Sequence, residues 1–229
     1  MTTIRWDETG TPVATRFDDP YYSKRDGRAE AQHVFINGNR LPERFAANAH
    51  IHVAELGFGT GLNFFETLTH WDAHKVRGAS LSYTSFELFP LTTDDITRAL
   101  SPWPTLEAIG ELWRDDIPRQ PGWHTITRGD VTLRLAIGDA NEMIDTMQNI
   151  VDAWFLDGFS PAKNPELWNE SLMQKVGLKT SATGTFTTYT AAGWVRRMME
   201  DAGFEVERIE GYGTKRHMSV GRRRAENEA

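Results

Sequence analysis

Residues 51 to 65, Ile51-His52-Val53-Ala54-Glu55-Leu56-Gly57-Phe58-Gly59-Thr60-Gly61-Leu62-Asn63-Phe64-Phe65, constrain this chain more than any other stretch. Apolar and β-branched residues run up to Leu56, glycines stand at 57, 59 and 61, and an apolar pattern with helical spacing resumes at Leu62. That order predicts strand, tight turn, helix. Without Cβ atoms the turn can take positive φ and lie directly against a ligand. A helix opening near Gly61 points its free N–H groups into the same space. The third glycine of a G-x-G-x-x-G dinucleotide fingerprint would fall at Leu62, so the spacing is not that of a nicotinamide site. A loop that merely turns a corner is the plain alternative at this point.

The length of 229 residues suits one large α/β domain with a well-buried core. No run approaches the ~18 to 20 consecutive apolar residues that span a bilayer. The start, Met1-Thr2-Thr3-Ile4-Arg5-Trp6, lacks the basic-then-apolar order of a secretory signal. With no cysteine there is neither a disulfide framework nor a thiolate metal site. The expectation is a soluble, cytoplasmic protein that carries no metal. A net charge of −7 argues against broad, sequence-blind affinity for nucleic acid, which scales with the phosphates neutralised. Local basic clusters remain at Arg196-Arg197, Lys215-Arg216 and Arg222-Arg223-Arg224, each with solvated surface as its alternative.

Residues 1–50 precede the glycine turn and are expected to form an N-terminal extension packing on a core domain of residues 51–229. In the extension, Asp18-Asp19-Pro20 is turn chemistry followed by Tyr21 and Tyr22. Residues 32–36 are strand-like or the start of an apolar helix, and Asn37-Gly38-Asn39 turns. Residues 80–87 predict a second strand ending in Glu87, a carboxylate able to accept from both ribose hydroxyls of a nucleoside cofactor. Residues 91–100 look helical, and Pro102, Pro104, Pro118 and Pro121 mark a looped region with one short helix near 106–113. Residues 123–127 and 131–137 flank Arg128-Gly129-Asp130 as a hairpin. Asp139 then serves as an N-cap for a helix over 141–148. The apolar strand 151–156 delivers Asp157-Gly158-Phe159-Ser160-Pro161-Ala162-Lys163-Asn164-Pro165 to the region outside the carboxyl ends of the strands, where open parallel sheets bind ligands. An acid, a flexible glycine, an aromatic and two prolines point to a functional loop, with a simple turn as the alternative for Asp157. A strand over 183–190, a helix over 192–202 stopped by Gly203, and a hairpin of 204–209 with 215–220 complete the chain. The alternation defines an α/β fold with a largely parallel sheet and one antiparallel strand.

The spacing Glu55-x-Gly57-x-Gly59-x-Gly61 resembles the first motif of class I methyltransferases that bind S-adenosylmethionine (SAM). The resemblance implies a Rossmann-like, seven-stranded, mostly parallel sheet. It also implies that Gly57, Gly59 and Gly61 pass under the methionine part of the cofactor, that Glu55 orients the turn or a cofactor amine, that Glu87 meets the ribose, and that Asp139 meets the adenine amino group. Longer runs narrow it. Gly38-Asn39-x-Leu41-Pro42-Glu43-Arg44-Phe45, the stretch 55–64, Asp152-Ala153-Trp154-Phe155-Leu156 with the loop to Pro165, and Thr188-Tyr189-Thr190-Ala191-Ala192-Gly193-x-Val195-Arg196-Arg197 resemble the methyltransferase part of the MnmC family, bifunctional tRNA enzymes, either as a stand-alone, MnmD-like form or as an excised domain. Nearly the whole chain is covered, and the run from Asp157 to Pro165 is the most specific.

That family continues into a flavin-dependent oxidase, whereas this sequence stops at Ala229. The resemblance therefore implies only methylation of 5-aminomethyl-(2-thio)uridine at the tRNA wobble position, with SAM and without FAD in this chain. The implied partners are the tRNA anticodon loop and a separate FAD-dependent oxidase, with no membrane. In the implied site Asp157 binds the incoming amine and receives a proton, and Phe159 stacks on the flipped-out uracil. Lys163, Arg196, Lys215 and Arg216 meet anticodon-stem phosphates or are solvated surface. The residues leave other readings open: a SAM-dependent methyltransferase for a small-molecule or protein amine, a nicotinamide oxidoreductase disfavoured by the glycine spacing, and a non-catalytic SAM-fold subunit.

Overall fold

The computed structural model describes residues 4–225. The reading of the N-terminus as free of a secretory signal rests partly on residues 1–3, which lie outside the described residues. Strands β1 (Ile4–Trp6), β2 (Pro12–Ala14) and β3 (Asp19–Pro20) form a small antiparallel sheet. Helix α1 (Gly27–Ala31) opens at Asp26, whose carboxylate accepts from the Ala29 N–H at 3.0 Å. It continues as a wider π-helical stretch over Gln32–Asn37, so the ambiguous apolar run at 32–36 is helical. Helix α2 (Leu41–Ala47) has Pro42 in its first turn, where a missing N–H costs nothing.

The main sheet begins with β4 (His50–Leu56), in which six of seven residues are buried, as a central parallel strand covered on both faces requires. Helix α3 (Leu62–His74) follows the glycine turn. Then come β5 (Ser80–Glu87), α4 (Thr93–Leu100), α5 (Pro104–Trp113), β6 (Gly122–Arg128) and β7 (Val131–Ile137). Helix α4 is fixed at its start by a reciprocal capping box between Thr92 and Asp95. Helix α6 (Ala140–Met143), β8 (Val151–Leu156), α7 (Glu170–Leu178), β9 (Thr180–Thr188), α8 (Gly193–Asp201), β10 (Phe204–Glu210) and β11 (His217–Arg223) complete the chain.

The sheet order is β10-β11-β9-β8-β4-β5-β7-β6. Strands β9, β8, β4, β5 and β7 pair in parallel, β6 runs antiparallel to β7, and β11 runs antiparallel to both β9 and β10. The mostly parallel α/β architecture is as expected, with a correction in the count: eight strands rather than seven, two of them reversed rather than one. The added strand is β6, the first arm of the 123–137 hairpin, which pairs over its full length and becomes the sheet edge. Helix α6 is also shorter than the 141–148 expected. A 3-10 turn over Ile144–Thr146 takes over, placing Ile144 and Met147 together in the core.

Two apolar cores flank the sheet. One joins α3, α4 and α5 with Val34, Phe35, Ile36, Leu41 and Phe45 of the extension. The other gathers α6, α7 and α8 around Trp154, Trp168 and Phe186. The buried Asn39 side chain stitches the extension to the sheet. Its amide donates to the Trp154 carbonyl at 3.2 Å and to the Thr187 hydroxyl at 2.9 Å, and its oxygen accepts from the Thr185 hydroxyl at 2.6 Å. Among the described residues no helix is long and apolar enough to cross a membrane.

Candidate functional site

A cleft of about 1180 Å³ opens at the carboxyl ends of β4, β5, β7 and β8. The glycine turn forms one wall, with φ of +92° at Gly57, +54° at Gly59 and +76° at Gly61. A Cβ on Gly61 would meet the Phe65 ring at 2.7 Å, and one on Gly59 would meet Tyr21 at 3.1 Å, so the bare backbone is what the packing admits here. The turn is braced from β5. Glu87 accepts from the Gly59 N–H at 2.8 Å with one oxygen and from the Phe89 N–H at 2.6 Å with the other. Burial raises the Glu87 pKa against the pull of those two N–H groups. Asp139, in the turn after β7, caps α6 through the Asn141 N–H at 2.8 Å and lines the cleft at the same time.

The floor holds two carboxylates bridged by one amide. Asn63, in the first turn of α3, donates from Nδ2 to Glu55 Oε1 at 2.8 Å and to Asp157 Oδ2 at 2.7 Å. Glu55 has no exposure and takes a further bond from the Ser85 hydroxyl at 2.9 Å. Asp157, half-buried and lining the cleft, accepts the Gly158 N–H at 2.8 Å on its other oxygen. Burial, reinforced by the charge of Asp157, pushes Glu55 up to about 8. Burial pushes Asp157 up to about 6, opposed by the Gly158 N–H and the Asn63 amide.

The loop after β8 is clamped from three sides. The Tyr189 hydroxyl donates to the Gly158 carbonyl and the Trp168 indole to the Phe159 carbonyl, both at 2.9 Å. Asp19 of β3 takes the Ser160 N–H at 2.8 Å and the Lys163 ammonium at 3.0 Å. Phe159 stacks on Phe17 at 4.6 Å between centroids and meets Tyr21 edge-on at 5.0 Å. These rings give the cleft an aromatic mouth built jointly from the loop and the extension.

The structure therefore brings Gly57, Gly59, Glu87, Asp139, Asp157, Phe159, Lys163 and Lys215 into the lining of one cleft. Glu55 lies beneath the floor and Gly61 packs behind the turn. Lys215 sits 2.7 Å from the Glu30 carboxylate and 4.1 Å from the Tyr189 ring centre, so its charge is already partnered. Lys163 is paired with Asp19. Arg196 on α8 and Arg216 lie outside the cleft lining, and the four basic residues do not form one cluster beside Asp157. Sequence reasoning gave no role to Asn63, Glu30, Phe17, Tyr21 or Tyr189. Asn63 carried a visible sign, an amide inside an apolar helix start. The importance of the others arises from long-range contacts.

Comparison with known proteins agrees with this geometry. Residues 104–224 match the family model described as S-adenosyl-L-methionine-dependent methyltransferase. The chain is 42% identical over 224 residues to the tRNA 5-methylaminomethyl-2-thiouridine biosynthesis bifunctional protein MnmC of Chromobacterium violaceum, an alignment covering 93% of this chain and 33% of that protein. It thus spans about a third of the length of this relative. Among solved structures, MNMC2 from Aquifex aeolicus superposes with a TM-score of 0.80 at 25% identity, covering 99% of this chain and 72% of that one. Spermidine synthase from Thermotoga maritima shares the fold, with a TM-score of 0.56 at 12% identity over 98% of this chain and 73% of that one.

The chain belongs to the SAM-dependent methyltransferases. Within them it is similar to the methyltransferase part of MnmC in sequence and to MNMC2 in fold. The cleft fits the cofactor that this membership implies: a turn without side chains, a carboxylate ending β5, a second carboxylate after β7, and room for a nucleoside between them.

Proposed function

We propose that the chain transfers a methyl group from SAM to the primary amine of 5-aminomethyl-(2-thio)uridine at the tRNA wobble position, giving 5-methylaminomethyl-(2-thio)uridine. The observation that carries this reading is the Asp157 carboxylate, presented at the end of β8 beside the glycine turn and beneath an aromatic mouth. The 42% identity to a protein named for 5-methylaminomethyl-2-thiouridine biosynthesis supports the choice of substrate.

Gly57, Gly59 and Gly61 would hold the methionine part of the cofactor, Glu87 the ribose and Asp139 the adenine. The full burial of Glu55 supports a role in orienting the turn. When bound, the cofactor supplies a methyl group already activated on a sulfonium. The chain's own residues supply position and proton transfer. Holding an amine at near-attack distance is worth effective molarities of about 10⁵ to 10⁸ M. A primary alkylamine has a pKa of roughly 10 in water and must lose a proton before it can attack. The apolar rings of Phe17 and Phe159 disfavour the charged amine, while the raised Asp157 takes a proton more readily than an ordinary aspartate. Both shifts narrow the gap between donor and acceptor.

Phe159 would stack on the flipped-out uracil, as single-stranded loop bases are commonly read. Arg196 and Arg216 would meet anticodon-stem phosphates. Lys163, committed to Asp19, and Lys215, committed to Glu30, would do so only by exchanging partners. We read residues 1–50 as an extension that packs on the 51–229 methyltransferase domain and contributes Phe17 and Tyr21 to the cleft. A tRNA substrate implies a cytoplasmic location, and an FAD-dependent oxidase would supply the amine. The test is incubation with labelled SAM and tRNA from cells lacking this modification, followed by nucleoside mass analysis. The expected product gains one methyl on 5-aminomethyl-(2-thio)uridine. Label that stays off tRNA, or that enters a small amine instead, overturns the reading.

A further inference from the structure

Resting on the reading of Asp157 as proton acceptor, we propose that Asn63 is a positioning residue for that step: its side-chain amide, anchored on Glu55, holds Asp157 as the anionic acceptor facing the cleft while the proton of this carboxylate pair resides on Glu55. One nitrogen donates to Glu55 at 2.8 Å and to Asp157 at 2.7 Å, so both of its hydrogens are used and the two carboxylates are neighbours across a single atom. Two negative charges sharing one neutral donor at the base of a cleft are costly, and such a pair holds one proton across the neutral range.

The bonding decides which partner holds it. Glu55 is fully buried, and besides Asn63 it is bonded by the Ser85 hydroxyl and faced by that of Tyr83; a hydroxyl accepts a hydrogen bond as readily as it donates one. A proton on Glu55 is therefore satisfied. Asp157 receives two donors, Asn63 on one oxygen and the Gly158 N–H on the other, and both favour the anion. The groups facing the pair from other elements are Tyr83 on β5, Tyr189 just after β9, Glu30 on α1 and Lys215 ahead of β11. Burial keeps both tyrosines neutral. Glu30 opposes the Asp157 charge and Lys215 favours it, and these two are themselves an ion pair. In the transfer, an N–H bond of the substrate ammonium breaks and an O–H bond forms on Asp157. The nitrogen keeps the electron pair, one positive and one negative charge cancel, and no further reactant is needed.

The experiment compares wild type, Asn63→Ala, Glu55→Gln and Glu55→Ala for the pH profile of kcat, for SAM affinity by calorimetry, and for the infrared band of a protonated carboxyl in the protein without substrate. Asn63→Ala is expected to lower kcat about 100-fold, the cost of a misplaced reacting group. It should shift the acid limb of the profile to higher pH and leave SAM affinity within threefold. Glu55→Gln, which copies the protonated acid, is expected to keep at least tenfold more kcat than Glu55→Ala and to leave the acid limb in place. The protonated-carboxyl band should be present in wild type at pH 7 and missing from Glu55→Gln. An unshifted acid limb in Asn63→Ala, a Glu55→Gln variant as poor as Glu55→Ala, or SAM affinity falling in step with kcat overturns the proposal. Should Asn63→Ala not fold, the infrared band and the two Glu55 variants decide it. The band needs neither cofactor nor tRNA, so failure of the tRNA reading shows itself separately, as a wild-type enzyme that carries the band and leaves tRNA unmethylated.

Discussion

Replacing Asp157 with alanine is expected to leave SAM affinity within a few-fold by calorimetry and to lower methyl transfer at least ~100-fold, the usual span for a proton-accepting side chain. Because the ionised carboxylate is the active form, kcat should fall as pH drops through about 6, where Asp157 takes up its proton. Glu87→Ala is expected to act on the cofactor instead, weakening SAM affinity by removing both the carboxylate and the brace on the Gly59 N–H. The positions of Glu87, Asp139 and Asp157 were legible because each follows an apolar strand, and the ends of parallel strands are where ligands gather. Asn63 was not legible as a partner of Asp157, since the two are 94 residues apart and only the pairing of β4 with β8 brings them together. The pairing of Lys163 with Asp19 spans 144 residues and was hidden for the same reason.

The three short strands at the N-terminus work as a brace over the cleft. Asp19 ties β3 to the loop after β8 through Ser160 and Lys163, and the same segment carries Phe17 and Tyr21. Asp19→Ala removes a partly exposed ion pair worth up to about 1 kcal/mol and the acceptor of the Ser160 N–H, so the loosened loop is expected to raise KM for tRNA about fivefold, even with Lys163 released, while kcat stays nearly constant. On the opposite wall, Gly61→Ala puts a side chain on a backbone with φ +76° and against the Phe65 ring. Denaturant titration is expected to show a loss of about 1–3 kcal/mol. The glycine turn and the strands β4, β5 and β8 could be read directly from residue order. The stretch 32–36 could not, because a short apolar run without clear periodicity suits a buried helix as well as a strand. The pairing of β6 with β7 could be read from Arg128-Gly129-Asp130 and the runs beside it; the count of seven came from the family resemblance, which left β6 out.

Across the whole molecule, the buried acid at position 55 couples folding to pH. Glu55 holds its proton more tightly when folded, with a pKa of about 8, than in the unfolded chain, where it titrates near 4.5. Between those values the native state binds more protons than the unfolded state, so stability is fullest at the acid end and declines as pH rises towards 8. Asp157 adds a decline of the same sign between its ordinary range and about 6. Glu55→Gln is expected to flatten the dependence and to melt at a higher temperature than wild type at pH 8, measured by calorimetric scans across pH 5 to 8. That strand and helix alternate through the middle of the chain was legible, while the three short strands β1 to β3 ahead of it were not. That two acids with strand-end positions share one amide was not, since it needs the sheet to be assembled first.

Asn39 carries a consequence for anyone wishing to trim the chain to its main sheet and the helices around it. Its amide is the donor that the Trp154 carbonyl and the Thr187 hydroxyl use inside the protein. A deletion that starts the chain at His50 would strip β8 and β9 of that donor and lay open the seat of Ile36, Leu41 and Phe45. Each orphaned buried group costs about 1–3 kcal/mol, against a total of about 5–15 kcal/mol for a native domain. Such a shortened protein is expected to come out of expression as insoluble material rather than as a minimal catalyst.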